Sequence, residues 1–114
     1  MQLDARRLRD LQIFSRTELE RIGRGAIDVI TVQLEAIERA MGEPGSCGSA
    51  AAAHRARNET LLIGARELGE ALQSVEVAAR AGRASDVREA AAQARALWPA
   101  TREAIVRATY DATG

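Results

Sequence analysis

Residues 17–41 read TELERIGRGAIDVITVQLEAIERAM, and their spacing decides the fold class. Leu19, Ile22, Ala26, Ile30, Leu34, Ile37 and Met41 recur every three or four residues, which lays them along one face of an α-helix. Just upstream, Ser15-x-x-Glu18 and Thr17-x-x-Glu20 both fit a capping box, in which a hydroxyl and a carboxylate satisfy the first free backbone N–H groups of a helix. Gly23 and Gly25 weaken the first third of the stretch, where the sequence predicts a bend or a split.

The pattern extends in both directions. Residues 1–14 set Leu8, Leu11 and Phe14 at helical spacing and predict a short amphipathic N-terminal helix. Downstream, GEPGSCGS at 42–49 is a breaker. Ser49 is the expected N-cap of a helix over 50–63, and Gly64 its left-handed terminator. A helix over 65–81 carries Leu68, Leu72, Val75 and Ala79 on one stripe, and Gly82 ends it. Ser85 is the expected cap of a last helix, with Asp86 in its first turn. Val87, Ala91, Ala94, Trp98, Ile105 and Ala108 form that helix's apolar stripe, and Pro99 predicts a kink. Four long stripes can bury one another. The expected architecture is therefore all-α: an up-down four-helix bundle over 15–114 with an additional N-terminal helix over 1–14, in one domain.

Composition agrees. The chain has 114 residues, 46% of them apolar, and Phe14, Trp98 and Tyr110 are its aromatic residues, so the core must be aliphatic and alanine-rich. The formal net charge is zero, with all 16 basic residues arginine, which argues against a global field for nucleic acid or an anionic membrane. Arginines alternate with acids as on solvated helical faces. Residues 1–14 mix Arg6, Arg7 and Arg9 with Asp4 and Asp10 and lack the wide apolar face of a membrane anchor. No secretory leader or membrane-length apolar run stands out, so the expected compartment is the cytoplasm. Cys47, the single cysteine, reads as a bystander thiol in the breaker.

Most reaction classes lack their parts. There is no GxSxG turn for a serine nucleophile and no glycine-rich phosphate loop. One histidine and one cysteine make no usual zinc site, and no cofactor or metal is expected. What stands out is residues 50–69, AAAAHRARNETLLIGARELG, which hold the single histidine, His54. A neutral imidazole nitrogen is a good phosphoryl acceptor and passes the group on readily. Such a site needs an exposed ring on a rigid helix, small neighbours such as Ala50, Ala51 and Ala53, and a cation one turn away. Arg57 supplies the cation at i+3.

Residues 53–82 resemble the core of histidine-containing phosphotransfer (HPt) domains. Ala53 and His54 match the start of the family's pattern, Arg57 stands for its basic residue at +3, and Gly64 fits its glycine at +10. Leu68, Leu72 and Val75 supply the apolar helix that follows, and Gly82 its end; the resemblance spans roughly residues 17–108. It implies a relay of a phosphoryl group between receiver-domain aspartates in a two-component system. His54 would be the acceptor and Arg57 its electrostatic support; Asn58, Ala50, Ala51, Ala53 and Arg55 would meet the partner. That partner would be a response-regulator receiver domain or a hybrid histidine kinase, which brings its own metal ion and catalytic groups. The protein would be a relay intermediate rather than a true enzyme, monomeric or homodimeric. Asn58 departs from the family's glycine at +4, a position left open for the docking receiver. The alternative reading is a helical adaptor or dimerising module, including an HPt-like protein that binds receivers or kinases without being phosphorylated.

Overall fold

A computed structural model describes residues 3–41 and 47–110, which form five α-helices. They are α1 (Ala5–Leu11), α2 (Arg16–Met41), α3 (Cys47–Ile63), α4 (Arg66–Arg80) and α5 (Ala84–Thr109). Helix α2 packs on α3, α3 on α4, α4 on α5, and α5 closes the ring on α2. This is the expected four-helix bundle, and α1 lies across one of its ends.

The core is the meeting place of the predicted stripes. Leu19, Ala26, Ile30, Leu34 and Ile37 of α2 are buried, as are Leu68, Leu72 and Val75 of α4 and Val87, Ala91, Ala94 and Ile105 of α5. Each large aliphatic side chain removed from water in this way contributes about 1.5–3 kcal/mol. Helix α3 buries mainly small groups: Ala50, Ala52, Ala53, Ala56 and Thr60, ending in Ile63. Its neighbour α4 therefore comes close, and a Cβ placed on Gly69 would lie 2.8 Å from Thr60 Oγ1.

The first capping box is realised. The Ser15 N–H donates to Glu18 Oε1 and the Glu18 N–H donates to Ser15 Oγ, both at 3.2 Å. Thr17 and Glu20 instead lie inside the first turns of α2. Hydrogen bonds from the Ser15 side chain, then from its backbone, hold the Glu18 carboxyl below its ordinary value. The folded-state pKa is lowered, so the contribution is present above the unfolded value near 4.5 and is lost as pH falls through the folded one. Ser15→Ala is expected to destabilise the fold by about 1 kcal/mol at neutral pH. The deficit should shrink on acidification below the carboxylate range, which urea melts at both pH values will measure.

Helix α2 runs unbroken through Gly23 and Gly25, contrary to the expected bend or split. Gly23 is buried where α5 crosses, and Gly25 faces open space. Ser49 is not an N-cap. Helix α3 begins two residues earlier at Cys47, and Ser49 is fully buried with no hydrogen-bond partner for its Oγ among the described residues. Residues 42–46 of the expected breaker, and the side chain of Cys47, lie outside the described residues.

Two glycines reverse the chain. Gly64 has φ 80° and Gly82 φ 71°, in the left-handed region that a Cβ disfavours. Behind them the Ala65 N–H donates to Thr60 O and the Arg83 N–H to Ala78 O, each at 2.9 Å, the long bond of a Schellman turn. The turn at Gly82 is so tight that α5 starts at Ala84 with Arg83 at the N-cap position, which places Ser85 inside the helix rather than at its cap. Helix α5 continues through Pro99 to Thr109.

Helix α1 is shorter than the predicted 1–14. Asp4 caps it by accepting from the Arg6 N–H, and Asp4 also pairs with Arg66 at 2.9 Å. The Asp4 N–H donates to Gly64 O, and Arg7 Nε donates to Leu62 O. These bonds strap α1 to the α3–α4 turn, while Leu11 is buried near the start of α2 and the end of α5. No described helix is long and apolar enough to cross a membrane.

Candidate functional site

Helix α3 divides cleanly into two faces. Ala50, Ala53, Ala56 and Thr60 point into the bundle, whereas Ala51, His54, Arg55, Asn58, Leu61 and Leu62 are exposed. The alanine run allows this, because small side chains on the inner face bring α4 close while the outer face carries polar groups. Of the residues expected to meet a partner, Ala51, Arg55 and Asn58 share the exposed face with His54. Ala50 and Ala53 do not: they are 5% and 0% exposed, and their smallness serves helix packing.

The His54 side chain is 52% exposed, yet its ring is anchored. Nδ1 lies 3.3 Å from Glu76 Oε1, on α4. Glu76 is itself held from one turn further along α4. Arg80 donates to Glu76 Oε2 from Nη2 at 2.9 Å and from Nε at 3.1 Å. The glutamate side chain is only 13% exposed, so its two oxygens are divided between the histidine and the arginine. Burial pushes the Glu76 carboxyl up, but hydrogen bonds from Arg80 and His54, with their charges, outweigh it and hold the group below its ordinary value. It is a carboxylate at neutral pH.

A carboxylate can only accept, so the imidazole nitrogen facing it carries the proton. In the neutral ring the other nitrogen, Nε2, then holds the lone pair. Nε2 has no hydrogen-bond partner among the described residues. The arrangement is a half-exposed imidazole whose tautomer is set by a largely covered carboxylate on the neighbouring helix.

Arg57 stands elsewhere. It is half-buried and borders a cavity of about 330 Å³ between α1 and the α3–α4 turn, together with Asp4, Arg7, Arg66 and Glu70. His54 does not border this cavity. The guanidinium coupled to the ring is Arg80's, through Glu76, and spacing along α3 holds no sign of either residue. No group of three or more His, Cys, Asp or Glu side chains among the described residues is placed to hold a metal ion.

No protein-family model, no curated protein and no solved structure matches this chain.

Proposed function

We propose that the protein is a phosphotransfer module, in which His54 accepts a phosphoryl group from an aspartyl phosphate on a receiver domain and yields it to a second receiver. The observation that carries this reading is the His54–Glu76 pair: an exposed imidazole held at Nδ1 by a carboxylate that is 13% exposed. In the transfer, the Nε2 lone pair attacks phosphorus. The N–P bond forms as the bond from phosphorus to the aspartate oxygen breaks, and the aspartate leaves as a carboxylate. The ring keeps its Nδ1 proton and becomes cationic, and Glu76 stabilises that charge where it develops. Return transfer reverses these steps. Phosphoryl transfer needs positioning and charge stabilisation more than covalent machinery, and the partner's active site supplies the remainder.

Ala51, Arg55 and Asn58 share the exposed face of α3 with His54, the face a partner would cover. The proposed setting is the cytoplasm, where receivers are phosphorylated. The adaptor reading draws on a separate observation: Leu61 and Leu62, at 61% and 39% exposed, continue the same face and would suit a contact without chemistry.

The test is incubation with a panel of phosphorylated receivers and Mg²⁺, scored for acid-labile, alkali-stable label on this chain. Asn58→Gly, which removes the side chain beside the ring, is run in parallel. Label in either protein is the expected result; none in both overturns the relay and leaves the adaptor.

Glu76→Gln offers a sharper measure of mechanism. The amide has no charge with which to balance the developing imidazolium, and its NH₂ can turn to donate to Nδ1, which moves the ring proton to Nε2. Transfer should slow by at least roughly 10-fold, the order of effect seen when a carboxylate that orients a metal-bound histidine is lost. Single-turnover labelling with the wild-type receiver reads it directly.

A further inference from the structure

We propose that Arg80 is a positioning residue for His54, acting through Glu76: it clamps one oxygen of the carboxylate so that the other fixes the imidazole as its Nδ1–H tautomer. The inference rests on the relay reading for its consequence, but its geometry stands independently.

Glu76 sits in the third turn of α4, at the seam with α3. Left to itself, a glutamate there has three rotatable bonds and competing places to go, including solvent at the open edge of the seam. Arg80 removes that freedom. It lies one turn further along the same helix, at i+4, where side chains meet. Both of its hydrogen bonds, 2.9 and 3.1 Å, fall on Oε2. Oε1 is thereby left to His54, at 3.3 Å. A carboxylate held at one oxygen by a planar guanidinium presents the other in a fixed direction, which a lysine's rotating ammonium does less well.

Arg80 also keeps the anion charged. Burial alone disfavours the ionised carboxyl, and the arginine is the leading group that reverses this. A neutral Glu76 could donate a proton to Nδ1 as readily as accept one, and the ring would lose its bias. The arginine side chain is 63% exposed, so it can be changed without opening the core. Other guanidiniums of α4 and the following turn are engaged elsewhere: Arg66 with Asp4 and Arg83 with Asp86.

His54 is the chain's one histidine, so its ring nitrogens give an unambiguous pair of ¹⁵N signals. The experiment records these signals above the ring's titration, in wild type, Arg80→Gln, Arg80→Lys and Arg83→Gln, with circular dichroism to verify folding. Wild type should show the Nδ1–H form. Arg80→Gln should shift the population toward Nε2–H, Arg80→Lys should restore part of it, and Arg83→Gln should leave it unchanged. Labelling by a receiver should slow roughly tenfold in Arg80→Gln, in step with the lost tautomer.

A wild-type ring already in the Nε2–H form overturns the proposal. So do Arg80→Gln signals that match wild type, which would make the arginine a bystander, and equal shifts in Arg80→Gln and Arg83→Gln, which would report general charge rather than a clamp. If the tautomer shifts as expected but wild type takes no label, the clamp stands and the relay falls. Should Arg80→Gln not fold, Arg80→Lys carries the test: an unchanged tautomer population and wild-type labelling rate would confine Arg80's role to its charge and overturn the geometric clamp.

Discussion

His54→Gln should remove all phosphoryl label from the chain while leaving the bundle folded. The ring is half-exposed on the outer face of α3, so replacing it opens no cavity. Glutamine is a good helix former and keeps a polar group beside Glu76. The hydrogen bond lost is a partly exposed one, and Glu76 retains Arg80, so the change in stability should stay within about 1 kcal/mol. The chemical effect is absolute by comparison. An amide nitrogen has its lone pair delocalised into the carbonyl and does not attack phosphorus, and no second histidine exists to take over. The label itself identifies its carrier, because a phosphoramidate is lost in acid and survives alkali, whereas an aspartyl phosphate is lost in alkali. Label at the wild-type level in a folded His54→Gln protein would place the acceptor elsewhere and end the relay reading. Thermal melts beside the labelling assay separate that outcome from simple unfolding.

The fold is legible in the sequence because its signals are local. Leu19 to Met41 repeat at helical spacing, Gly64 and Gly82 mark the two tight reversals, and Ser15 and Glu18 bracket a helix start within four residues. What the sequence conceals lies in the packing. Ser49 and Ser85 carry the right side chains for N-caps, yet Ser49 is drawn into the core and the Schellman turn at Gly82 starts α5 before Ser85 is reached. The site divides in the same way. His54 is visible as a singular residue, but its partner Glu76 is 22 positions away, beyond the reach of spacing along one helix. A clue is present all the same. In an antiparallel hairpin, residues equally distant from the turn face each other, and His54 and Glu76 each lie eleven positions from Ala65. Thr60 and Gly69, which nearly touch, lie five and four positions from it, one residue off the same reflection. Only periodicity singles out Arg57. The Gly64 turn, with α1 strapped across it, gives Arg57 a cavity to border instead of the imidazole.

Gly23 and Gly25 test the packing, because the same kind of substitution should have opposite effects two residues apart. Both glycines lie inside α2, where each weakens the helix by about 1 kcal/mol relative to alanine. At Gly25 nothing lies within 4 Å of the position a Cβ would take, so Gly25→Ala should simply recover that helical stability, about 0.5–1 kcal/mol. At Gly23 the added carbon would meet Thr109, whose Cβ lies 2.7 Å away, too close for any real contact. Thr109 is 1% exposed, and its hydroxyl donates to Ile105 O at 2.8 Å, so it is not free to swing aside. Gly23→Val, which adds two further methyl groups at the crossing, must therefore push α5 away from α2. The gap would reach Ile105 and Leu19 and loosen the end of the bundle that α1 covers. Overpacking of this kind costs about 1–3 kcal/mol and sometimes more, which exceeds any gain in helix propensity. Urea melts of the two variants should bracket wild type, Gly25→Ala above it and Gly23→Val well below. If Gly23→Val were as stable as wild type, α2 and α5 would not approach here, and the closed ring of four helices would be wrong at that corner. Adding Thr109→Ala to Gly23→Val makes the cause specific. Removing the obstructing hydroxyl and methyl should recover part of the loss, whereas an effect on backbone propensity alone would leave the deficit unchanged.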